Sequence, residues 1–269
     1  MNSLIVLTNL DLLLAAMLVL ALAGLAARMK LGVSTELLVA AVRTTVQLTI
    51  LGLILKTVFT SSNGWLVAAI TLVMLFVAAW EVLSRQKRKL HRRWGFSVSI
   101  IALFVSSFVI TLLALLIIIQ ADPWYTPQYA IPLMGMLLGN TMNGIALGMD
   151  RLVQTAWQQR MVIEQRLMLG QTAVQAINDI RRDSMRAGMI PIINAMAAAG
   201  IVSLPGMMTG QILAGSSPQE AVNYQILIMF LITAGTGFGV VAVLSLISRR
   251  MFDERDRLRF DRLLQPKKD

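Results

Sequence analysis

The sequence predicts an all-α, polytopic integral membrane protein with about seven membrane-spanning helices, and three observations predict it. First, hydrophobic residues make up 57% of the 269 residues and only 14% are charged, which gives a mean hydropathy of +0.71. A soluble domain of this length needs far more polar surface. Second, the apolar residues are gathered into runs of about 20 residues, the length of a helix that crosses the hydrocarbon core. Third, the basic residues lie almost entirely between these runs.

Seven apolar runs have, or nearly have, the length of a membrane span. The runs are Leu7–Ala27, Leu37–Phe59, Trp65–Leu83, Phe96–Gln120, Tyr129–Met149, Met189–Met208 and Tyr224–Ile247. The first run follows an N-terminus without Lys or Arg and without a small-residue cleavage site, so we expect it to be a retained span and not a signal peptide. We expect one transmembrane domain over residues 1–269.

The positive-inside rule orients the seven spans. All but two of the 24 Lys and Arg residues fall on one side if the N-terminus is outside and the C-terminus inside; the exceptions are Arg43 and Lys56. An even number of spans would leave a basic cluster on the outer side. The expected topology is therefore N-out and C-in, with a basic cytoplasmic tail at about 249–269 that we expect to form a short solvated helix.

The charge distribution, the cysteine and histidine content and the missing motifs argue against several classes of function. The formal charge of +10 can indicate nucleic acid, but the basic patch RQKRKLHRR is more simply a topology signal that faces anionic lipid. Cysteine is absent and the single histidine, His91, lies in that patch, so we expect no zinc centre and no thiol catalysis. We find no Walker phosphate loop and no catalytic triad, and expect no enzyme activity in this chain.

A polar segment at about 155–188 is patterned as a helical hairpin on the cytoplasmic side. Gly170 suits the left-handed position after a helix, and Thr172 with Gln175 forms a capping-box pattern. An apolar stripe and two pairs of opposite charge then follow at helical spacing. The stripe is Ala173, Val174, Ile177 and Ile180, and the pairs are Asp179 with Arg182 and Asp183 with Arg186. The hairpin either lies on the membrane surface or docks a soluble partner.

Features inside the membrane indicate a transport pathway. Gly135 with Gly139, and Gly144 with Gly148, are G-x-x-x-G pairs that favour close helix packing, and we expect the same of the glycines in GTGFG. The amides of Asn140 and Asn143 each need a partner or a watery path. The candidate pathway residues are Arg43, Gln47, Asn140, Met142, Asn143, Pro205, Gly206, Met207 and Met208.

The strongest of these pointers is in the sixth run, where Pro191 and the stretch SLPGMMTG are expected to interrupt the helix. Backbone freed at membrane depth is tolerated only inside protein or beside a cavity. Met207 and Met208 suit a soft metal but also suit ordinary gap filling, and the identity of any bound metal stays open. Arg43 either snorkels to the headgroups or meets a buried partner.

Several stretches together resemble the FetB-type (UPF0014) family, the membrane subunits of bacterial ABC exporters implicated in iron efflux. The stretches are RTTVQLTILGLIL, IPLMGMLLGNTM, EQRLMLGQT, RDSMRAGMIP and SLPGMMTGQILAGSSPQEAVNYQI. The spacing of Glu164 and Gly170 also resembles the EAA loop of ABC importer permeases, although Gln165 and Arg166 stand where that loop has two alanines.

The resemblance implies a multi-pass inner-membrane permease that exports iron, a related metal or a complex. It implies a separate cytoplasmic ATPase that carries ATP and Mg²⁺, so that this chain holds no cofactor, and a homodimer of the permease in lipid, without nucleic acid. The residues expected to couple to the ATPase are Glu164, Leu169, Gly170, Thr172, Arg182, Asp183 and Arg186. A stand-alone channel or secondary carrier is the alternative.

Overall fold

The computed structural model describes residues 8–60, 63–86 and 92–260, with the side chains of residues 92–94 left out. These residues divide into two compact units. The smaller unit covers residues up to Asn63 together with Leu213–Gly215, and its helices α1 and α2 pack against each other. The larger unit covers Gly64–Ile212 and the chain from Ser216 onwards. The most buried side chains lie in the larger unit, whereas α1 and α2 expose nearly all of their apolar side chains.

The described residues form helices and no strands. The helices are α1 Asn9–Arg28, α2 Ser34–Thr60, α3 Gly64–Ser84, α4 Arg92–Leu103, α5 Val109–Leu113, α6 Pro127–Gln158, α7 Arg160–Met168, α8 Ala173–Ala176, α9 Asn178–Ala198, α10 Gly206–Leu213 and α11 Pro218–Arg250. The π-helical stretch Phe104–Phe108 joins α4 to α5, and a second one, Ala114–Ile119, extends α5, so that the four segments form one long fourth rod. The sequence did not signal these stretches.

Six predicted spans are confirmed as long apolar helices, each within a few residues of its expected ends except where α6 and α11 continue beyond the apolar run. The sixth run is the exception: it is shared between the end of α9, an irregular segment at 199–205 and the start of α10. The protein is therefore an all-α polytopic membrane protein. Its orientation and the single permease domain stay predictions.

Packing inside the larger unit fixes the direction of α9. Gly144 and Gly148 of α6 face Gly188 and Ser184 of α9, so these two helices run antiparallel. Gly144 and Gly148 also face Thr236 and Leu244 of α11, so α6 and α11 run parallel. Since α6 and α11 point the same way, the chain between them has to return across the unit, and α9 makes that return.

The break in the sixth run is not caused by Pro191, which lies inside a continuous α9. That prediction was wrong: a proline removes one backbone hydrogen bond, and packed neighbours tolerate this in membrane helices. The helix ends instead at Ala198, and Gly200 follows with φ +81°. The Ala198 carbonyl then accepts hydrogen bonds from the amides of Val202 and Ser203 at 3.0 and 3.1 Å.

The tail also differs from its predicted helix. Residues after Arg250 form a turn in which the Asp253 carboxylate accepts hydrogen bonds from the backbone and the side chain of Arg257 at 2.8 and 2.9 Å. Met251 and Phe252 are buried against the main core, which is why this segment folds back instead of continuing as a solvated helix. Residues 261–269 and most of the basic patch lie outside the described part of the chain.

Glycine at 144 and 188 is required because the backbones of α6 and α9 touch. A Cβ built at Gly188 would lie 2.7 Å from the Gly144 carbonyl oxygen, and one built at Gly144 would lie 2.9 Å from the Gly188 oxygen. Such approach is shorter than any ordinary carbon contact, so an added methyl pushes the helices apart. The G-x-x-x-G prediction is confirmed for Gly144 and Gly148, whereas Gly139 has open space around its Cβ position.

We expect Gly188→Ala to destabilise the protein by about 1–3 kcal/mol, the usual range for overpacking. Gly139→Ala is the matched control in α6, because its Cβ meets no atom within 4 Å. Thermal unfolding of both variants in the same detergent measures the difference. Equal midpoints for the two variants would contradict the close contact.

Candidate functional site

The polar segment folds as the predicted hairpin, with two local corrections. Gly170 adopts φ +86°, and Thr172 forms the capping box: its hydroxyl accepts from the Gln175 amide at 3.4 Å, and Gln175 Oε1 accepts from the Thr172 amide at 3.0 Å. The first arm of the hairpin is bent at Gln159, where α6 ends and α7 begins. The second arm is bent at Ile177, which separates α8 from α9. The hairpin is thus α7, the Gly170 turn, α8 and the beginning of α9.

One face of the hairpin packs into the core. Ala173, Ile177 and Ile180 of the predicted stripe are buried, as is Ile163 on α7. Val174 is 48% exposed, so its place in the stripe was wrong. At 3.6 residues per turn Val174 lies about 100° around the helix from Ala173, so it falls at the edge of the stripe, whereas Ala173, Ile177 and Ile180 share one face. The buried face holds the hairpin on the larger unit, and the opposite face is left to solvent.

A bidentate ion pair ties the two arms together. The Arg166 guanidinium donates from Nη1 to Asp179 Oδ1 and from Nη2 to Oδ2, both at 2.8 Å, and Nη1 also donates to the Ala176 carbonyl at 2.9 Å. The predicted pairing of Asp179 with Arg182 was therefore wrong. Arg166, one of the two residues that depart from the EAA pattern, closes the hairpin across thirteen residues. No local periodicity signals such a pair.

The ion pair shifts the pKa of both groups. Hydrogen bonds from Arg166 hold the pKa of the Asp179 carboxyl below its usual value, against a smaller opposing effect of desolvation. The same bonds raise the pKa of Arg166. The pair is partly exposed, with 30% of the Arg166 and 53% of the Asp179 side-chain surface accessible, so solvent screens much of its strength.

The tip of the hairpin presents apolar surface. Met168 and Leu169, the last residue of α7 and the one after it, are 82% and 84% exposed. Glu164 is exposed on the same helix, and Arg182, Asp183 and Arg186 are exposed on α9. Within the described part of the chain, no ion pair joins Asp183 to Arg186, contrary to the predicted pair. An exposed apolar tip flanked by charged side chains is a surface composition typical of a docking site.

Within the larger unit, the structure does not gather the predicted pathway residues at one place. Asn143 accepts a hydrogen bond from Arg85 of the α3 end at 2.6 Å, and Asn140 donates to the Met136 carbonyl of its own helix at 2.8 Å. Met142 packs against the core cluster. Arg43 and Gln47 lie exposed on α2 in the smaller unit. One polar atom of each amide, Asn140 Nδ2 and Asn143 Oδ1, thus has a partner within the protein.

Two of the predicted residues, Pro205 and Met208, line a cavity of about 520 Å³ between the end of α9, the irregular segment, α10 and α11. Gly206 begins α10, and Met207 does not line this space. Gln225 of α11 is the amide in the lining, so we name the space the Gln225 cavity. Its other lining side chains are apolar, and they include Met196, Met229 and Phe230. Sequence reasoning missed Gln225, because nothing local distinguishes it from a lipid-facing residue.

Helix α9 connects the two features. It begins beside Asp179 in the hairpin and ends at Ala198 beside the Gln225 cavity. At 1.5 Å per residue its 21 residues span about 30 Å, the thickness of a hydrocarbon core. The close contact at Gly144 and Gly188 lies between these ends. One continuous helix thus joins the hairpin to the cavity wall.

The fold and these features define an all-α polytopic membrane protein in which one helix connects a polar, apolar-tipped hairpin to a cavity about a membrane's thickness away. Residues 9–252 match the family described as Uncharacterised protein family (UPF0014). The chain therefore belongs to the UPF0014 family of membrane proteins.

Three relatives place the chain within that family. It is 41% identical to the UPF0014 membrane protein slr1647 of Synechocystis, over 85% of this chain and 87% of the relative. It is 34% identical to the Probable iron export permease protein FetB of Escherichia coli, over 93% of this chain and 95% of the relative. It is 34% identical to the UPF0014 membrane protein STAR2 of rice, over 74% and 68%. No solved structure matches the chain.

The ion pair predicts an acid-sensitive hairpin. Because the folded-state pKa of Asp179 is lowered, its stabilising contribution is complete above the ordinary carboxyl pKa. The contribution disappears as pH falls through the lowered folded value. We expect Asp179→Asn to lower the free energy of unfolding at pH 7 by about 0.2–1 kcal/mol, the range for exposed pairs. The gap from wild type should close on acidification.

Unfolding midpoints of wild type and variant, measured from pH 7 down to about pH 3 across the usual carboxyl range, provide this test. Asp183→Asn is the matched control, since Asp183 is an exposed carboxylate on the same helix without an ion pair to Arg186. A gap for Asp179→Asn that does not change with pH, or one equal to that of the control, would show that the ion pair does not stabilise the hairpin.

Proposed function

We propose that this chain is the membrane-spanning subunit of an ATP-driven ABC exporter in the cell inner membrane. A separate cytoplasmic ATPase grips the hairpin tip, and two permease chains form the path. The observation that carries the proposal is the exposed apolar tip, Met168 and Leu169, held by a buried face and a bidentate ion pair. Two large apolar side chains exposed to solvent at the end of a braced helix favour a protein partner over free water.

The proposed mechanism follows from the connection along α9. ATP binding moves the partner, and the partner displaces the hairpin. Because α9 runs without a break from Asn178 to Ala198, the displacement reaches the wall of the Gln225 cavity. Helix α9 pivots about its close backbone contact with α6 at Gly144 and Gly188. Access to the cavity then alternates between the two sides of the membrane.

The proposed cargo is iron, a related metal or a complex of one. This part of the proposal rests on the similarity to the Escherichia coli relative named as a probable iron export permease. Among the described residues, no group of three or more His, Cys, Asp or Glu side chains is placed to hold a metal ion. In this proposal the metal is cargo, and no residues of this chain are assigned to hold it permanently.

The function is tested by purification from cells with the complex preserved, followed by transport in liposomes. We expect an ATPase to co-purify and vectorial export to require ATP, because we find no Walker phosphate loop in this sequence. Recovery without any ATPase, or equal transport without ATP, would instead favour a stand-alone channel or secondary carrier.

The docking surface is tested by Leu169→Asp, which places a charge on the apolar tip. Burial of that charge against the partner is costly, and we expect at least a tenfold loss of ATPase co-purification, the scale of a central interface residue. Met161→Asp is the matched control: Met161 lies on the same helix and is 60% exposed, but it is two turns from the tip.

Both variants need unchanged elution and unfolding midpoints, so that only docking is compared. A Leu169→Asp protein that retains the ATPase as well as wild type would remove the tip from the interface. Loss of the ATPase in both variants to the same degree would show that the partner grips the whole of α7 instead of its tip.

A further inference from the structure

Helix α6 leaves one side of its surface largely exposed. This side is formed by Pro132, Met136, Asn140, Asn143 and Leu147, and we name it the α6 face. Its members follow one another three or four residues apart, which places them on the same side of a helix. Within the larger unit, the other sides of α6 pack against α3, α9 and α11. The α6 face is therefore the side that is left to meet lipid, water or another helix.

Lipid is a poor neighbour for the middle of the α6 face. Asn140 Nδ2 donates to the Met136 carbonyl and Asn143 Oδ1 accepts from Arg85, but Asn140 Oδ1 and Asn143 Nδ2 have no partner among the described residues. Both asparagines lie in the central part of the predicted fifth span. An amide atom left unpaired in hydrocarbon is costly. The α6 face therefore needs a polar neighbour at this depth.

We propose that the α6 face is the contact surface for a second copy of this chain, with the asparagines of the two copies hydrogen-bonded to each other. This inference rests on the proposed function, in which two permease chains form the path. Two copies inserted in the same orientation are related by a two-fold axis along the membrane normal, so their α6 helices run parallel. In such an isologous contact the same surface meets itself and has to be self-complementary.

The two free amide atoms meet this condition. Asn140 offers an acceptor, and Asn143, about one helical turn away on the same face, offers a donor. Across a two-fold axis the donor of each copy meets the acceptor of the other, so that two hydrogen bonds form at once. An unrelated helix would have to present a matching donor and acceptor at the same two levels, whereas a second copy presents them by symmetry.

The remaining chemistry of the α6 face also suits a copy of itself. Spacing by three and four residues is the pattern of helices that pair with a small crossing angle, and asparagine at such a seam fixes register and pairing. Arg85, which reaches Asn143, is paired with Glu81 at 3.4 Å. Because both signs of charge are present at this level, the two copies do not bring an unbalanced charge against each other.

The first experiment uses the natural absence of cysteine to map the contact by disulfide formation. Leu147→Cys places one thiol on the α6 face. Val241→Cys is the matched control, because Val241 lies on α11 and both side chains are 46% exposed. The permease is expressed without any ATPase, its membranes are oxidised with copper phenanthroline, and linked dimers are read from non-reducing gels.

We expect the Leu147→Cys thiols to form linked dimers about tenfold faster than the Val241→Cys thiols, because a disulfide requires Cα atoms within roughly 7 Å of each other. Equal rates for the two thiols, or no linked dimer from Leu147→Cys, would overturn the proposal.

The second experiment tests the asparagines. The dissociation constant of the dimer is measured in liposomes by energy transfer between chains labelled at their C-termini. We expect Asn140→Ala and Asn143→Ala each to raise it about three- to tenfold, the scale of hydrogen bonds between membrane helices. Because each asparagine bonds the other across the axis, the double variant should be little weaker than either single one. Asn194→Ala, at an exposed asparagine of α9, is the control and should leave the dimer unchanged.

Unchanged dissociation constants in Asn140→Ala and Asn143→Ala, additive losses in the double variant, or an equal loss in Asn194→Ala would contradict the paired amides. Two further results would assign the α6 face to another occupant. Modification of the Leu147→Cys thiol by a membrane-impermeant reagent, without linked dimers, would indicate a water-filled path. A disulfide within one chain between Leu147→Cys and Gln47→Cys would indicate that α2 covers the face.

Since these measurements omit the ATPase, they fail independently of the transport proposal. Absence of linked dimers leaves the docking of the hairpin tip intact, and absence of an ATPase partner leaves the dimer measurements interpretable.

Discussion

The contact on which the rest of the structure depends is the backbone approach of α6 and α9 at Gly144 and Gly188. Apolar side chains provide little association energy between helices in lipid, because lipid tails are as apolar as the helices themselves. Small residues solve this problem by letting backbones touch and dispersion contacts accumulate. This approach seats α9 against α6 and α11, and it sets the direction in which α9 returns across the unit.

Packed in this position against α6 and α11, helix α9 joins two regions of opposite chemistry. Its first turn belongs to a polar hairpin, where a charge-assisted pair between Arg166 and Asp179 closes two arms that have little apolar contact with each other. Its last turn borders an apolar cavity in which Gln225 is the one polar lining residue. The first region therefore carries charged side chains that water solvates, and the second presents mainly apolar surface.

One relative of this chain is named a probable iron export permease, whereas the cavity at the end of α9 is lined by methionine, leucine and phenylalanine side chains and by no charged one. A hydrated ion loses solvation against such walls, and iron ions prefer anionic oxygen or nitrogen ligands. The lining of this cavity is therefore poorly suited to a bare iron ion. Gly200, in the left-handed region, and Pro205 both line this cavity.

The sequence by itself determined the membrane class, six of the apolar helices, the left-handed turn at Gly170 and the cap at Thr172, because length, hydropathy and turn geometry depend on neighbours within a few residues. Tertiary structure alone decided that Asp179 meets Arg166, that Asn143 meets Arg85, and that Gln225 borders a cavity. These partners are distant in the chain, and many pairings satisfy the same local pattern. Only the packing of α6, α9 and α11 selects one of them.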